Sequence, residues 1–214
     1  MNTNLPNKKG IETDMMTILY EVHSGIYVNM TNKCPCACTF CLRTTRDHMD
    51  ESGSLWLDRE PTVNEVIAEF KKRDMTKYTE VVFCGFGEPT ERLDDVLAVC
   101  DFIKENYDIP IRINTNGMAD LINGRSTAAE FKNRIDTVSI SLNTPDKERY
   151  YELTRCKFGA DSFDAMLKFA GEVKNYVKQV ILSTVSTTIT AEEEEKCAEI
   201  CKNLGVTYRI RPFE

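Results

Sequence analysis

No stretch of the 214 residues approaches the about 18 to 20 consecutive apolar residues that cross a bilayer. The first residues, MNTNLPNKKGIETD, contain no apolar segment of the kind a secretion signal carries. A cytoplasmic protein is therefore expected, with no membrane partner. Basic residues are in the minority, 27 against 34 acidic, for a formal net charge of −7. No basic stripe runs along the chain: Lys8-Lys9 and Lys71-Lys72-Arg73 are short, and the second reads as a solvated helix face. Binding a long polyanion normally needs such a stripe to displace counterions. A small-molecule substrate is thus expected in place of nucleic acid. Internal repeats beyond the strand–helix alternation, low-complexity tracts and linkers are absent too. What remains is an ordinary globular composition, 42% hydrophobic and 29% charged. Residues 1–214 read as one domain, with 1–24 an N-terminal extension that includes a strand or hairpin. The sequence is compatible with a homodimer.

Strands and helices alternate along the chain. Gly25 to Thr31 (GIYVNMT) is β-branched and aromatic and reads as a strand, and Ile18 to Val22 can pair with it through His23-Ser24-Gly25. Thr62 and Glu65 form a capping box before Val63, Val66, Ile67 and Phe70, which follow helical spacing. Further strands are read at Glu80 to Cys84, Ile111 to Asn114, Thr137 to Leu142, Val180 to Val185 and Val206 to Arg211. Helices lie between them: one carrying Leu93, Val96, Leu97, Cys100 and Ile103, a shorter one from Ala128 to Arg134, and one carrying Phe163, Met166, Leu167 and Ala170. The last starts at the Thr190/Glu193 capping box and stops at Gly205. Its acidic run, Glu192 to Glu195, complements the helix dipole. Such βα repetition implies a parallel sheet with right-handed crossovers. About six strands are too few for a closed eight-stranded barrel, so the fold class expected is α/β, an open, partial (β/α)6 barrel. Ligands of such folds bind at the carboxyl ends of the strands.

Nine cysteines in a chain of this kind suggest reduced thiols for metal binding, not a disulfide framework. Four of them crowd one loop, Cys34-Pro35-Cys36-Ala37-Cys38-Thr39-Phe40-Cys41, within residues 32–43. Thiolates in one tight loop can ligate a single soft-metal centre. Cys34, Cys38 and Cys41 give C-x3-C-x2-C, three ligands for a cluster that takes four, with one iron left open. Spacing alone also allows Cys34, Cys36 and Cys41, and all four could in principle hold structural zinc, although C-x-C-x-C suits a tetrahedral ion poorly. Cys197 and Cys201, four apart on an apolar helix face, read as packed thiols. Cys84, Cys100 and Cys156 are scattered, and no second cysteine-rich segment supports an auxiliary cluster. Trp56 fits either core packing or a cover over the site.

The loop resembles the radical S-adenosylmethionine (SAM) superfamily: Cys34, Cys38, Phe40 and Cys41 match its C-x3-C-x2-C signature with an aromatic before the last cysteine. The resemblance extends over nearly the whole chain. It implies a [4Fe–4S] cluster on Cys34, Cys38 and Cys41, SAM bound to the open iron, a 5′-deoxyadenosyl radical that takes hydrogen from substrate, and a reductant such as flavodoxin or ferredoxin. Gly85-Phe86-Gly87-Glu88 stands where the family has a glycine-glycine-glutamate turn that binds the SAM amino group, with Phe86 as an interruption. Asn116, Ser141 and Asn143 stand where the family places contacts to SAM carboxylate and ribose, Ser183 and Thr184 are further candidates, and the backbone beside Phe40 would meet the adenine.

CPCACTFCLR, VFCGFGEPTERLD, IRINTNG and SISLN resemble more narrowly the short radical SAM proteins associated with the TatD family and, within or near them, the queuine lyases. That resemblance implies cleavage of the bond between the cyclopentenediol and the aminomethyl nitrogen of queuine, in queuosine salvage. A planar deazaguanine presents a donor–acceptor edge that Glu12, Asn29, Arg43 and Asn114, with Glu21 or Asp14 beyond them, could read. Two other readings stand beside this one: a radical SAM enzyme of another class, on a different small molecule or as a glycyl-radical activase, and a zinc-stabilised, non-enzymatic module.

Overall fold

Seven short strands form one sheet in strict sequence order. The computed structural model describes residues 16–212. β1 (Leu19–Val22) and β2 (Gly25–Val28) make the antiparallel hairpin expected from the His23-Ser24 turn, and His23 takes a left-handed φ of 52° there. β2 then begins an all-parallel run through β3 (Glu80–Phe83), β4 (Ile111–Thr115), β5 (Thr137–Ser141), β6 (Gln179–Val185) and β7 (Thr207–Arg211). The sheet is not closed: β1 and β7 are its two edges. No helix among the described residues is long and apolar enough to cross a membrane.

The connecting helices are α1 (Val63–Lys71), α2 (Leu93–Asn106), α3 (Ala119–Asn123), α4 (Lys147–Thr154), α5 (Ser162–Val173) and α6 (Ala191–Leu204). Both predicted capping boxes are present: Thr62 and Thr190 accept from the backbone amides of Glu65 and Glu193, whose carboxylates accept in return from the cap amides. Gly205 ends α6 with a φ of 68°, the left-handed turn that glycine adopts without steric cost. Two helices went unread in the sequence, α3 and α4, and the segment expected as a helix from Ala128 to Arg134 is instead a single 3-10 turn, Ala128–Phe131. Ala128 and Phe131 are buried with a three-residue repeat between them, which fits the tighter winding.

Strand alternation divides the sheet into an apolar and a polar face. Ile26, Val28, Val81, Phe83, Ile111, Ile113, Val138 and Ile140 are fully buried. Together with Val66, Phe70, Val96, Ile103, Met166 and Phe169 from the helices they belong to one core cluster. The alternate residues, Tyr27, Arg112, Asn114, Ser139 and Ser141 among them, face the other way, as the pairings Tyr27↔Val82, Val82↔Arg112, Asn114↔Ser139 and Ser141↔Ser183 require. One cavity of about 350 Å³ touches Tyr27 on β2, Arg112 on β4, Ile181 on β6 and Arg209 on β7. A flat sheet could not bring β2 and β7 to one cavity, so the sheet curls and its polar face lines a lumen.

Asp136 fastens the strands at their amino ends. Its carboxylate accepts from the Ile111 amide at 2.8 Å and from Lys104 at 2.6 Å, with Lys178 at 2.8 Å. Burial works to raise its pKa, but the two ammonium groups outweigh that and hold it below the ordinary value. A depressed folded-state pKa means stability that is present above the unfolded pKa and lost as pH falls through the folded one. Asp136→Asn is therefore expected to cost about 1 to 3 kcal/mol near neutral pH and less as the solution is acidified. Urea midpoints of both proteins between pH 7 and pH 3 check this; a gap that does not narrow on acidification would contradict it.

Candidate active site

The cysteine loop leaves β2 at the carboxyl end of the sheet and is pinned on three sides. Asn32 imitates a strand partner of Leu57, donating to its carbonyl at 2.7 Å and accepting from its amide at 3.1 Å. Arg92 donates to the Met30 carbonyl at 3.0 Å. On the far side, the end of α4 forms a short ladder with the loop: Ala37 N–H to Thr154 O, Thr39 N–H to Leu153 O, and Lys157 N–H to Pro35 O, at 2.8 to 2.9 Å. This clamp explains why a helix of low hydropathy sits here, and the left-handed Arg155 (φ 47°) turns the chain to complete it.

The clamp sorts the four thiols. Cys36 is 4% exposed and belongs to the core, while Cys34, Cys38 and Cys41 are only partly buried. The Cys36 thiol hydrogen-bonds to Cys156, Cys34 and Cys38, which raises its pKa. Those bonds lower Cys34 and Cys38, and bring Cys156 down to about 6. Cys41 is raised by burial, against the nearby Arg43. Among the described residues no three His, Cys, Asp or Glu side chains converge on a single metal-ion position. Tetrahedral zinc needs four donors around one point, and the described thiols show no such convergence. A cluster instead takes its ligands at separate iron corners, so thiols spread along one half-exposed side of a loop suit its donor set.

The turn after β3 packs directly against the loop's entry. The Glu88 amide donates to the Lys33 carbonyl at 2.8 Å. A Cβ on Gly87 would stand 2.2 Å from the Thr31 carbonyl oxygen and 2.7 Å from that of Lys33, and one on Gly85 would stand 2.2 Å from Asn29 Oδ1. Gly87 is thus required by close backbone approach, and Gly85 by the buried Asn29 side chain packed against it. Phe86 between them is accommodated sideways: it is buried with Tyr20 and Leu55, under the edge of Trp56 at a ring-centroid distance of 5.2 Å. Trp56 packs on Phe86 while keeping 43% exposure at the rim of the site.

Glu88 is buried at 4% exposure, and its carboxylate works inside the protein. Oε1 accepts from the Thr90 amide (3.1 Å), the Thr90 hydroxyl (2.7 Å) and the Thr115 hydroxyl (2.7 Å). Oε2 accepts from the Asn116 amide at 2.7 Å and keeps one acceptor position. Burial raises its pKa against the pull of those donors. The arrangement ties the turn after β3 to the turn after β4. Asn116, so placed, points its side-chain amide at the sulfurs of Cys34 (3.9 Å) and Cys36 (3.8 Å).

Ser141 and Ser183 pair across β5 and β6 on the lumen face, the latter buried and donating to Ile140 O at 3.4 Å. Asn143 is buried in a left-handed turn (φ 65°) with its amide on Ser183 O. Phe40 lies exposed beside Cys41. These residues gather at the carboxyl ends of the strands, but Thr184 does not: it follows Ser183 onto the opposite face and bonds Tyr208 at 2.8 Å.

Of the described residues expected to read substrate, only Asn114 faces the lumen, where it accepts from Arg112 at 2.7 Å. Asn29 is wholly buried beneath the Gly85 turn and donates to Thr17 O and Leu55 O. Arg43 braces the cysteine loop through the carbonyls of Asn32 and Cys36, both at 3.4 Å. Glu21 is on the outer face with Tyr78 and Arg73. Glu12 and Asp14 lie outside the described residues. Cys197 and Cys201 are packed thiols, pushed up to about 12 and about 11 by burial. The lumen-facing Arg112, Arg209 and Arg211 were not singled out in the sequence, although the alternation of TYRIR in β7 places the two arginines on one face.

Relatives agree with this architecture. The chain is 32% identical over 137 residues to the GTP 3',8-cyclase of Corynebacterium glutamicum, covering 60% of this chain and 33% of that protein. A probable GTP 3',8-cyclase of Methanocella arvoryzae is 27% identical over 67% of this chain and 41% of its own length. The chain thus spans well under half the length of these curated relatives. Among solved structures, Streptococcus suis SuiB bound to S-adenosylmethionine superposes on 88% of this chain and 38% of its own, with TM-score 0.62 and 19% identity. Methylornithine synthase (PylB) covers 89% of this chain and 53% of its own, with TM-score 0.64 and 16% identity. The pattern of the radical SAM family, whose members use a [4Fe–4S] cluster and SAM, matches residues 28–204. With that match over most of its length, the chain belongs to the radical SAM superfamily.

Proposed function

We propose that Cys34, Cys38 and Cys41 hold the cluster, and that SAM lies among Gly85, Phe86, Gly87, Asn116, Ser141, Asn143, Ser183 and the backbone beside Phe40. The substrate is then a small molecule in the lumen below. One observation carries this reading: of four thiols in the loop, Cys36 alone is turned into the core, which leaves C-x3-C-x2-C on the open side beside the glycine turn. When bound, cluster and SAM supply a 5′-deoxyadenosyl radical that takes a hydrogen atom from substrate, with the electron delivered by a reductant such as flavodoxin or ferredoxin. The chain's own residues do the rest. Glu88 fixes Asn116 against Cys34, and Phe86 with Trp56 forms an apolar rim that limits water. The Arg112–Asn114–Ser139 face presents donors to substrate. The location we propose is the cytoplasm.

For the reaction, we propose C–N cleavage of queuine to the 7-aminomethyl-7-deazaguanine base, supported by the motif resemblance and by Asn114 in the lumen. The test is anaerobic incubation of reconstituted protein with SAM, a strong reductant and queuine, followed by mass spectrometry. The aminomethyl base should appear above a Cys34→Ala control. SAM cleavage without that product would reject queuine while leaving the family chemistry in place. GTP, after the name of the curated relatives, belongs in the same panel.

A further inference from the structure

Charge on the lumen face runs opposite to charge on the whole chain. The chain carries −7, yet the lumen-facing positions of the seven strands hold three arginines, Arg112, Arg209 and Arg211, and one carboxylate, Glu80. Glu80 is committed: both its oxygens receive Arg112, at 2.7 and 3.0 Å. The Arg209 side chain makes no hydrogen bond or ion pair among the described residues. It borders the 350 Å³ cavity together with Arg112, Tyr27 and Thr137, a size that suits a small ligand. Arg211, one strand repeat nearer the cysteine loop, lies close enough to the Cys84 thiol on β3 to bear on its ionisation. Two residues along a parallel strand span about 6.6 Å, so the two guanidiniums mark two depths of one lumen.

We propose that the cavity at the amino end of the lumen binds a carboxylate or phosphate group of a small molecule, gripped by Arg209, which stands exposed on the edge strand β7. The proposal rests on the reading that this chain is a radical SAM enzyme whose substrate occupies the lumen. A guanidinium offers a planar fork that matches an oxyanion through two parallel hydrogen bonds. The Arg112–Glu80 pair is close to neutral, so Arg209 supplies the charge, and the Thr137 hydroxyl adds a neutral donor.

The test titrates inorganic phosphate, pyrophosphate and malonate into the reconstituted protein by calorimetry, and measures SAM affinity in parallel. At least one anion should bind saturably, and Arg209→Gln should weaken it about tenfold or more, equivalent to about 1.4 kcal/mol. Arg209→Lys should fall between the two, and the exposed-site control Lys132→Gln should match wild type. SAM affinity should be the same in all. Stronger binding of pyrophosphate than malonate identifies a phosphate group, and the reverse a carboxylate. The proposal is overturned if no anion binds saturably or if Arg209→Gln binds as wild type does. It is also overturned if that variant loses SAM affinity, which would give the arginine to the SAM carboxylate. Failure of the family reading shows separately, as absence of SAM cleavage by the wild type.

Discussion

Replacing Cys34, Cys38 or Cys41 singly with alanine is expected to remove the iron, and Cys36→Ala to leave it. Three thiolates on a cluster are mutually dependent, because losing one opens a second iron to solvent and to further loss. The Cys36 side chain is buried against the core and the loop is clamped by the end of α4. Its removal deletes a packed sulfur and costs about 1 kcal/mol of stability; it takes away a neighbour of Cys34 and Cys38 but leaves those two thiols and Cys41 in place. Iron and sulfide per chain after anaerobic reconstitution, with the visible absorption, read the outcome, and far-UV circular dichroism checks that each variant is folded. A Cys36→Ala protein as poor in iron as Cys38→Ala would mean that the ligand set is drawn wrongly.

Glu88→Gln should lose about 2 to 3 kcal/mol of stability and bind SAM more weakly as a result. Every partner of the Glu88 carboxylate is a donor: two hydroxyls and two backbone amides. An amide in its place must aim a donating NH2 either at Thr90 and Thr115 or at the Asn116 N–H, and one buried donor is then left opposed. The threonine hydroxyls can rotate to relieve the first arrangement in part, so the variant folds. The cost to SAM follows because Asn116 is set by the same carboxylate. Chemical denaturation of the cluster-free chain gives the first quantity and calorimetric SAM titration the second. An unchanged midpoint would remove the clasp assigned to Glu88. An unchanged SAM affinity in a destabilised variant would confine its role to folding.

Local rules made most of the fold legible. Both capping boxes, the hairpin turn at His23 and the stop at Gly205 act through neighbours three or four residues away, so spacing alone reveals them. The parallel strands were readable because β-branched runs alternate with helical periodicity. α4 was not, since KERYYELT has little apolar periodicity. Its role is to present backbone groups to the cysteine loop, a tertiary duty that leaves no periodic mark. Its one local signal was Asp146, which caps by accepting from the Arg149 amide at 2.7 Å. α3, five residues long, is far shorter than the window of about 11 residues over which helical periodicity is read.

The candidate site divides the same way. Gly87 and Glu88 announce themselves by residue type at a strand end, but that Glu88 faces inward depends on Thr115 and Asn116, residues from the next βα unit. Asn29 and Arg43 have the right chemistry for reading a base edge, but both spend their side chains on backbone carbonyls of the chain itself. One is under the Gly85 turn and the other behind the cysteine loop. The lumen-facing arginines required the reverse step: only curling of the sheet brings β7 opposite β2 and gives TYRIR an inner face.

The most direct measurement is the cleavage of SAM itself. Protein purified and reconstituted without oxygen, given SAM and a strong reductant, should hold about four iron atoms per chain and release 5′-deoxyadenosine and methionine. A Cys38→Ala variant should release neither. A colourless wild-type protein that takes up one zinc ion tightly, holds no iron and leaves SAM intact would contradict the account at its root.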